Sequence, residues 1–75
     1  MTPYKTGDAV EISHNGRTVE GTVILASSNG LSLMLQFEAM LGGHVGMMPV
    51  TMTDGENGFS IIDGTEVVIR RRMMQ

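Results

Sequence analysis

Cysteine is absent from this chain of 75 residues. That excludes disulfide staples and thiolate-held zinc, and it fits a reducing compartment, so a cytoplasmic location is expected. Tryptophan is absent as well, and Tyr4, Phe37 and Phe59 are the only aromatic residues. An aromatic-lined groove for proline-rich ligands has too little to build on. Long apolar runs are also lacking. The most apolar stretch, residues 31–50, is interrupted by Gln36, Glu38, Gly42, Gly43, His44 and Gly46, and it cannot cross a bilayer as a helix. No charged start followed by an apolar segment marks a signal peptide at the N-terminus, and no membrane association is expected. Positive charge is scarce: five Lys and Arg stand against eight Asp and Glu, for a net charge of −3. Before Arg70, Lys5 and Arg17 are the only cations facing all of those acids. A body this acidic repels phosphate backbones, which argues against nucleic acid as the partner.

What the chain does have is punctuation. Asn15-Gly16, Asn29-Gly30, Gly42-Gly43, Asp54-Gly55, Asn57-Gly58 and Asp63-Gly64 recur between short apolar or alternating runs. Each run is too brief for a stable helix, and the pattern spells strands and hairpins. Strands are expected at residues 8–14, 17–26, 31–37, 44–52, 59–62 and 65–71, with 1–7 as a lead-in and 72–75 as a tail. Asn15-Gly16 suits a type I′ hairpin, whose two central residues both need positive φ. Residues 31–37 alternate most clearly: Leu31, Leu33, Leu35 and Phe37 belong inside, and Ser32, Met34 and Gln36 outside. Val19, Val23 and Leu25 are assigned inward, with Ile24 outward. Gly21, mid-strand, suggests a bend or bulge. Residues 38–43 read as a wide loop or a single helical turn, with Ala39, Met40 and Leu41 capping one barrel end. Pro49 lacks a ladder donor, so its strand is expected at an edge or bulged. One domain of this length buries only about 60% of its unfolded surface, so barrel closure or self-association is the expected source of added stability.

The opening carries a resemblance. Gly7-Asp8-x-Val10-x-Ile12, followed by Gly16 and then Glu20-Gly21-Thr22-Val23, resembles the first two strands of SH3-like small barrels, including the KOW-type modules of ribosomal and transcription proteins. The resemblance implies an all-β fold: a small SH3-like barrel of five or six antiparallel strands. It implies no single function, because such barrels serve many.

Three readings of function follow. The first starts from methionine, which occurs eight times. Met48 and Met52 fall in phase with the core, whereas Met34 and Met47 fall on the outer face. With Ile24 they form an outward apolar stripe, ending near Leu41 and Val45. Soluble monomers rarely leave such stripes bare, so a non-catalytic interaction module is expected, binding a second copy or a larger protein there. The competing account is that the segment carrying Tyr4 folds over the stripe. The second reading is a KOW-like module binding phosphate through Arg70, Arg71 and Arg72, with Lys5 and Arg17 in support. Against it, a charge run at the end of a chain ordinarily keeps a strand soluble. The third is a degenerate version of the PilZ nucleotide-binding barrel. Ser27-x-x-Gly30 is similar to half of that family's motif, but Leu25 stands where the family has an acid or Asn, and its upstream arginine pair is missing apart from Arg17.

No enzyme is expected. There is no nucleophile elbow, no activated cysteine and no glycine-rich phosphate loop. His14 and His44 are too few for a metal without help from a carboxylate such as Asp8 or Glu11, and no ligand spacing supports one. No cofactor is expected.

Overall fold

A computed structural model describes residues 4–41 and 43–72. The first three lead-in residues, Gly42 and the tail beyond Arg72 lie outside the described residues. Six strands follow one another: β1 (Ala9–His14), β2 (Arg17–Ala26), β3 (Ser32–Leu41), β4 (His44–Met52), β5 (Asn57–Ser60) and β6 (Glu66–Arg71). Each pairs antiparallel with the next, and β6 pairs with β1, so the sheet closes into a barrel with no helix among the described residues. This is the small all-β barrel expected, consistent with an SH3-like fold. Closure removes the unpaired strand edges that would otherwise template aggregation.

Local chemistry explains the turns. Asn15 and Gly16 both have positive φ, 52° and 84°, as a type I′ turn requires, and His14 faces Arg17 across it. Strand alternation then fills the interior. Val10 and Ile12 of β1, Leu33, Leu35 and Phe37 of β3, Met48, Val50 and Met52 of β4, and Val67 and Ile69 of β6 are all buried. Each such side chain contributes about 1.5–3 kcal/mol by leaving water.

Several expectations need correction. Residues 38–41 are neither loop nor helical turn; they continue β3. The period of two simply runs on, with Glu38 and Met40 exposed, Ala39 packed against the core and Leu41 within it. Leu31 is not core. It is exposed in the turn before β3, where its carbonyl accepts from Met52 N. Leu25 is not inward either. The β2–β3 register shifts between Val23 and Leu25, so Ile24 is the extra residue and Leu25 turns outward, 64% exposed. Gly21, where a bend or bulge was expected, carries no bulge: it stays in unbroken register between Val10 and Phe37. β4 is not an edge, because it pairs with both β3 and β5. Pro49 lies one residue past the last β4–β5 pair, Val50 with Ser60, and its carbonyl accepts from Ile61 N. In a strand, N and C=O of one residue point to the same side, so the missing donor faces a place where no ladder continues. β5 begins at Asn57 rather than at 59, with Gly58 and Ser60 inward.

The lead-in is not all periphery. Tyr4 is 6% exposed and belongs to the core cluster. Its hydroxyl lies 2.9 Å from the Ile69 carbonyl and 3.0 Å from that of Gly55. The Arg71 guanidinium sits 4.4 Å from the ring centroid. Burial pushes the phenol above its usual value, while the Arg71 charge pulls the other way. Tyr4 therefore closes the barrel end formed by β6 and the loop before β5.

Candidate functional site

The outer face of β2, β3 and β4 carries the candidate surface. Leu25 faces Met34, and Met34 faces Pro49, in direct register across three strands. The Ile61–Pro49 hydrogen bond brings Ile61 alongside as a fourth member. With neighbouring strands about 4.8 Å apart, the row spans about 14 Å. A shallow groove of about 370 Å³ runs along it, lined by Leu25, Met34, Pro49, Thr51 and Ile61 among others. Met47 faces Gln36, one diagonal step from Met34, and is exposed. Val45, 74% exposed, faces the exposed Met40 nearer the hairpin tip.

Of the five residues expected on the stripe, Met34, Met47 and Val45 lie outward. Ile24 is half-buried at the bulge, and Leu25 takes its place. Leu41 is 1% exposed and is core, so it offers nothing to a partner. Leu25, Met40, Pro49 and Ile61 were missed. Met40 was legible in the continuing alternation; Leu25 required knowledge of the bulge. Tyr4 does not cover the row, because its bonds are made to Ile69 and Gly55.

The cations are dispersed. β6 alternates, so Arg70 and Arg72 point outward while Arg71 falls in the phase of Val67 and Ile69 at the barrel mouth. Arg70 Nε lies 3.6 Å from Glu56, Arg71 Nε 3.5 Å from Asp8, and an Arg72 terminal nitrogen 3.5 Å from Glu20. Such exposed pairs are worth about 0.2–1 kcal/mol each. Lys5 and Arg17 sit beyond opposite ends of β1. The five residues do not form one patch.

The Ser27-x-x-Gly30 fragment closes the β2–β3 hairpin with its own polar groups. The Ser27 hydroxyl lies 2.6 Å from Asn29 Oδ1 and accepts from Ser32 N. Asn29 Oδ1 also accepts from Leu31 N, and Gly30 N donates to the Ser27 carbonyl. The two histidines go separate ways: His14 Nδ1 is 2.8 Å from the Glu66 carbonyl, and His44 Nε2 is 3.4 Å from Asp63. Among the described residues no three potential ligands converge on a metal position.

Asp63 has the clearest electrostatic signature. Its Oδ1 accepts from the Thr65 hydroxyl at 2.7 Å and the Thr65 amide at 3.0 Å. These bonds, with a smaller contribution from His44, hold its carboxyl at about 2, below the ordinary 3.8. A depressed carboxyl stabilises the fold fully above the unfolded value and loses that contribution as pH falls through the folded one. The β5–β6 turn should therefore hold until pH drops from about 3.8 toward about 2. Carboxyl NMR titration should place the Asp63 midpoint near 2, and Thr65→Ala should move it upward. A parent midpoint at 3.8 would refute the assigned hydrogen bonds.

No family model, no curated protein and no solved structure matches the chain. Among the described residues no helix is long and apolar enough to cross a membrane. The fold defines a class, the small six-stranded antiparallel barrel, and the surface alone must suggest a use.

Proposed function

We propose that this barrel is a non-catalytic protein-interaction module that docks on a second copy or on a larger protein through its outer apolar face. The observation that carries the reading is the Leu25–Met34–Pro49 row, in register across three strands with Ile61 and Met47 beside it, of which Leu25, Met47 and Ile61 are exposed and Met34 and Pro49 half-buried. Methionine suits such a surface, since its flexible thioether adapts to a partner's shape. A KOW-like phosphate-binding role has less support, because Arg70, Arg71 and Arg72 each lie against an acid of the same molecule.

Sedimentation velocity over a dilution series, together with capture from the native cell, tests the reading. The parent should associate, with itself or with a captured partner, and Met34→Lys should abolish that association while keeping the parent's fold. Identical sedimentation and identical capture for parent and variant would overturn it. Association through apolar contacts should also hold or strengthen with salt, whereas phosphate binding would weaken steeply.

A further inference from the structure

β2 and β3 part company before either ends. Their pairing stops at Gly21 opposite Phe37, yet β2 reaches back to Arg17 and β3 runs on to Leu41. β1 holds the β2 extension, and β4 holds the β3 extension across the hairpin. Between the diverging arms lies a groove of about 780 Å³. Val19, Phe37 and Ala39 form its apolar floor, Glu38 stands exposed on one rim, and on the other the exposed Glu20 lies 3.5 Å from Arg72, which also lines the groove.

Among the described residues, the β2 and β3 backbones flanking this slot have no strand partner across it beyond Gly21 and Phe37. Val23 N donates to the Asp8 carbonyl and Val23 O accepts from Gly7 N, so odd residues of β2 turn their polar groups toward β1. Even residues turn theirs toward β3, as Thr22 does opposite Gln36. Thr18 has the same parity but no β3 residue opposite it. On β3, the Ser32 carbonyl accepts from Ser27 N on the β2 side. Stepping by two past Gln36 brings Met40 to that side, again with no β2 residue opposite.

We propose that this slot receives an extended segment of another protein as an added strand, one alternating apolar and basic side chains. The proposal rests on reading the chain as a docking module and gives that module a partner class. Strand addition supplies backbone hydrogen bonds, and alternating side chains supply selectivity. Inward side chains of the incoming strand meet Val19, Phe37 and Ala39; outward basic ones meet Glu38 on one rim and pass the Glu20–Arg72 pair on the other. The four-residue arm from Arg17 to Glu20 is about 13 Å long, room for about four residues of guest strand. Charge selects against a second copy. The chain carries −3, and Arg70, Arg71 and Arg72 already lie against acids of their own molecule, so another copy would bring mainly acids to the Glu38 rim.

The test is a backbone-amide NMR titration of the full chain with a capped eight-residue peptide of alternating valine and lysine. Its valine–glutamate counterpart serves as the control. Expected are shifts concentrated in residues 17–22 and 36–41 with smaller ones at 45–47 and Arg72, new exchange protection at Thr18 and Met40, and no binding of the glutamate peptide at the same concentration. Thr18→Pro removes the donor facing the slot and keeps the backbone bonds to β1, losing there only the 2.9 Å contact between the Thr18 and Ser13 hydroxyls, and should weaken binding about tenfold or more. Glu38→Lys, at an exposed position, should weaken the lysine peptide about tenfold and admit the glutamate one. Thermal melts confirm that both variants fold. Absence of binding by the lysine peptide at millimolar concentration overturns the proposal. Binding indifferent to Thr18→Pro and Glu38→Lys but lost in Met34→Lys also overturns it, and leaves the apolar docking face standing. A peptide-free dimer whose Thr18 and Met40 amides are protected gives the slot to a second copy, and overturns it too.

Discussion

Lysine at position 35 should leave no folded barrel at room temperature, whereas lysine at position 34 should leave one melting within about 8 °C of the parent. The two side chains are neighbours in sequence and differ only in strand phase. Leu35 is wholly buried, facing Val23 on one side and Met48 on the other. Replacing it forfeits about 1.5–3 kcal/mol of apolar burial and places an unpaired ammonium in the core, which costs several kcal/mol more. A domain of this size has about 4–11 kcal/mol in all, so little or nothing remains. Met34 points outward between Leu25 and Pro49 and is only half-buried. A lysine stem can lie along those same apolar neighbours with its charge in water, for a cost of about 1 kcal/mol or less. Circular dichroism melts of both variants check the pair. An unfolded Met34→Lys would place position 34 in the core and reverse the phase of β3.

The phase of β3 was legible because residues 32–37 alternate without a flaw, and β4 keeps register with residues 32–36. Turn chemistry was equally plain at Asn15-Gly16, where two consecutive positive φ values leave little choice of residue. The errors cluster where register breaks. At Val23 to Leu25 one extra residue reverses the face of everything after it, and Val, Ile and Leu in succession give no hint which is the extra one. At Gln36 to Met40, residues 37–39 of β3 stand against Gly46 alone, whose φ of 81° is available to glycine and strained for others. Period-two reading cannot anticipate such a bulge. The candidate face suffered accordingly: Met34, Met47 and Val45 were placed by alternation, while Leu25 and Ile24 exchanged roles. Tyr4 was misread for a different reason. Its burial depends on contacts with residues more than fifty positions away, which no local pattern encodes.

Alanine at position 21 should be the most damaging single-methyl substitution in β2, costing about 3 kcal/mol and lowering the melting temperature by about 15 °C. The φ of Gly21 is not the constraint; it is not among the positive-φ glycines. The constraint is room. A Cβ there would lie 2.7 Å from the Gln36 carbonyl oxygen and 2.9 Å from Ile12 Cδ1. Ile12 can rotate its terminal methyl, but the Gln36 carbonyl belongs to the β2–β3 ladder and moves only if the strands separate. Gly58 is the same device across the barrel, with a Cβ position 2.8 Å from the Thr51 carbonyl oxygen and 2.9 Å from Val50 Cγ1. Both glycines point inward, and together they let adjacent strands curve tightly enough to close around a core this small. Thr22→Val, one residue along on the outer face, supplies the control: the added methyl is solvent-facing, and stability should change by less than about 0.5 kcal/mol. Denaturant unfolding of Gly21→Ala, Gly58→Ala and Thr22→Val separates the cases. If the two glycine variants retain the parent midpoint, close backbone approach is not what closes the barrel, and curvature must come from the bulges alone.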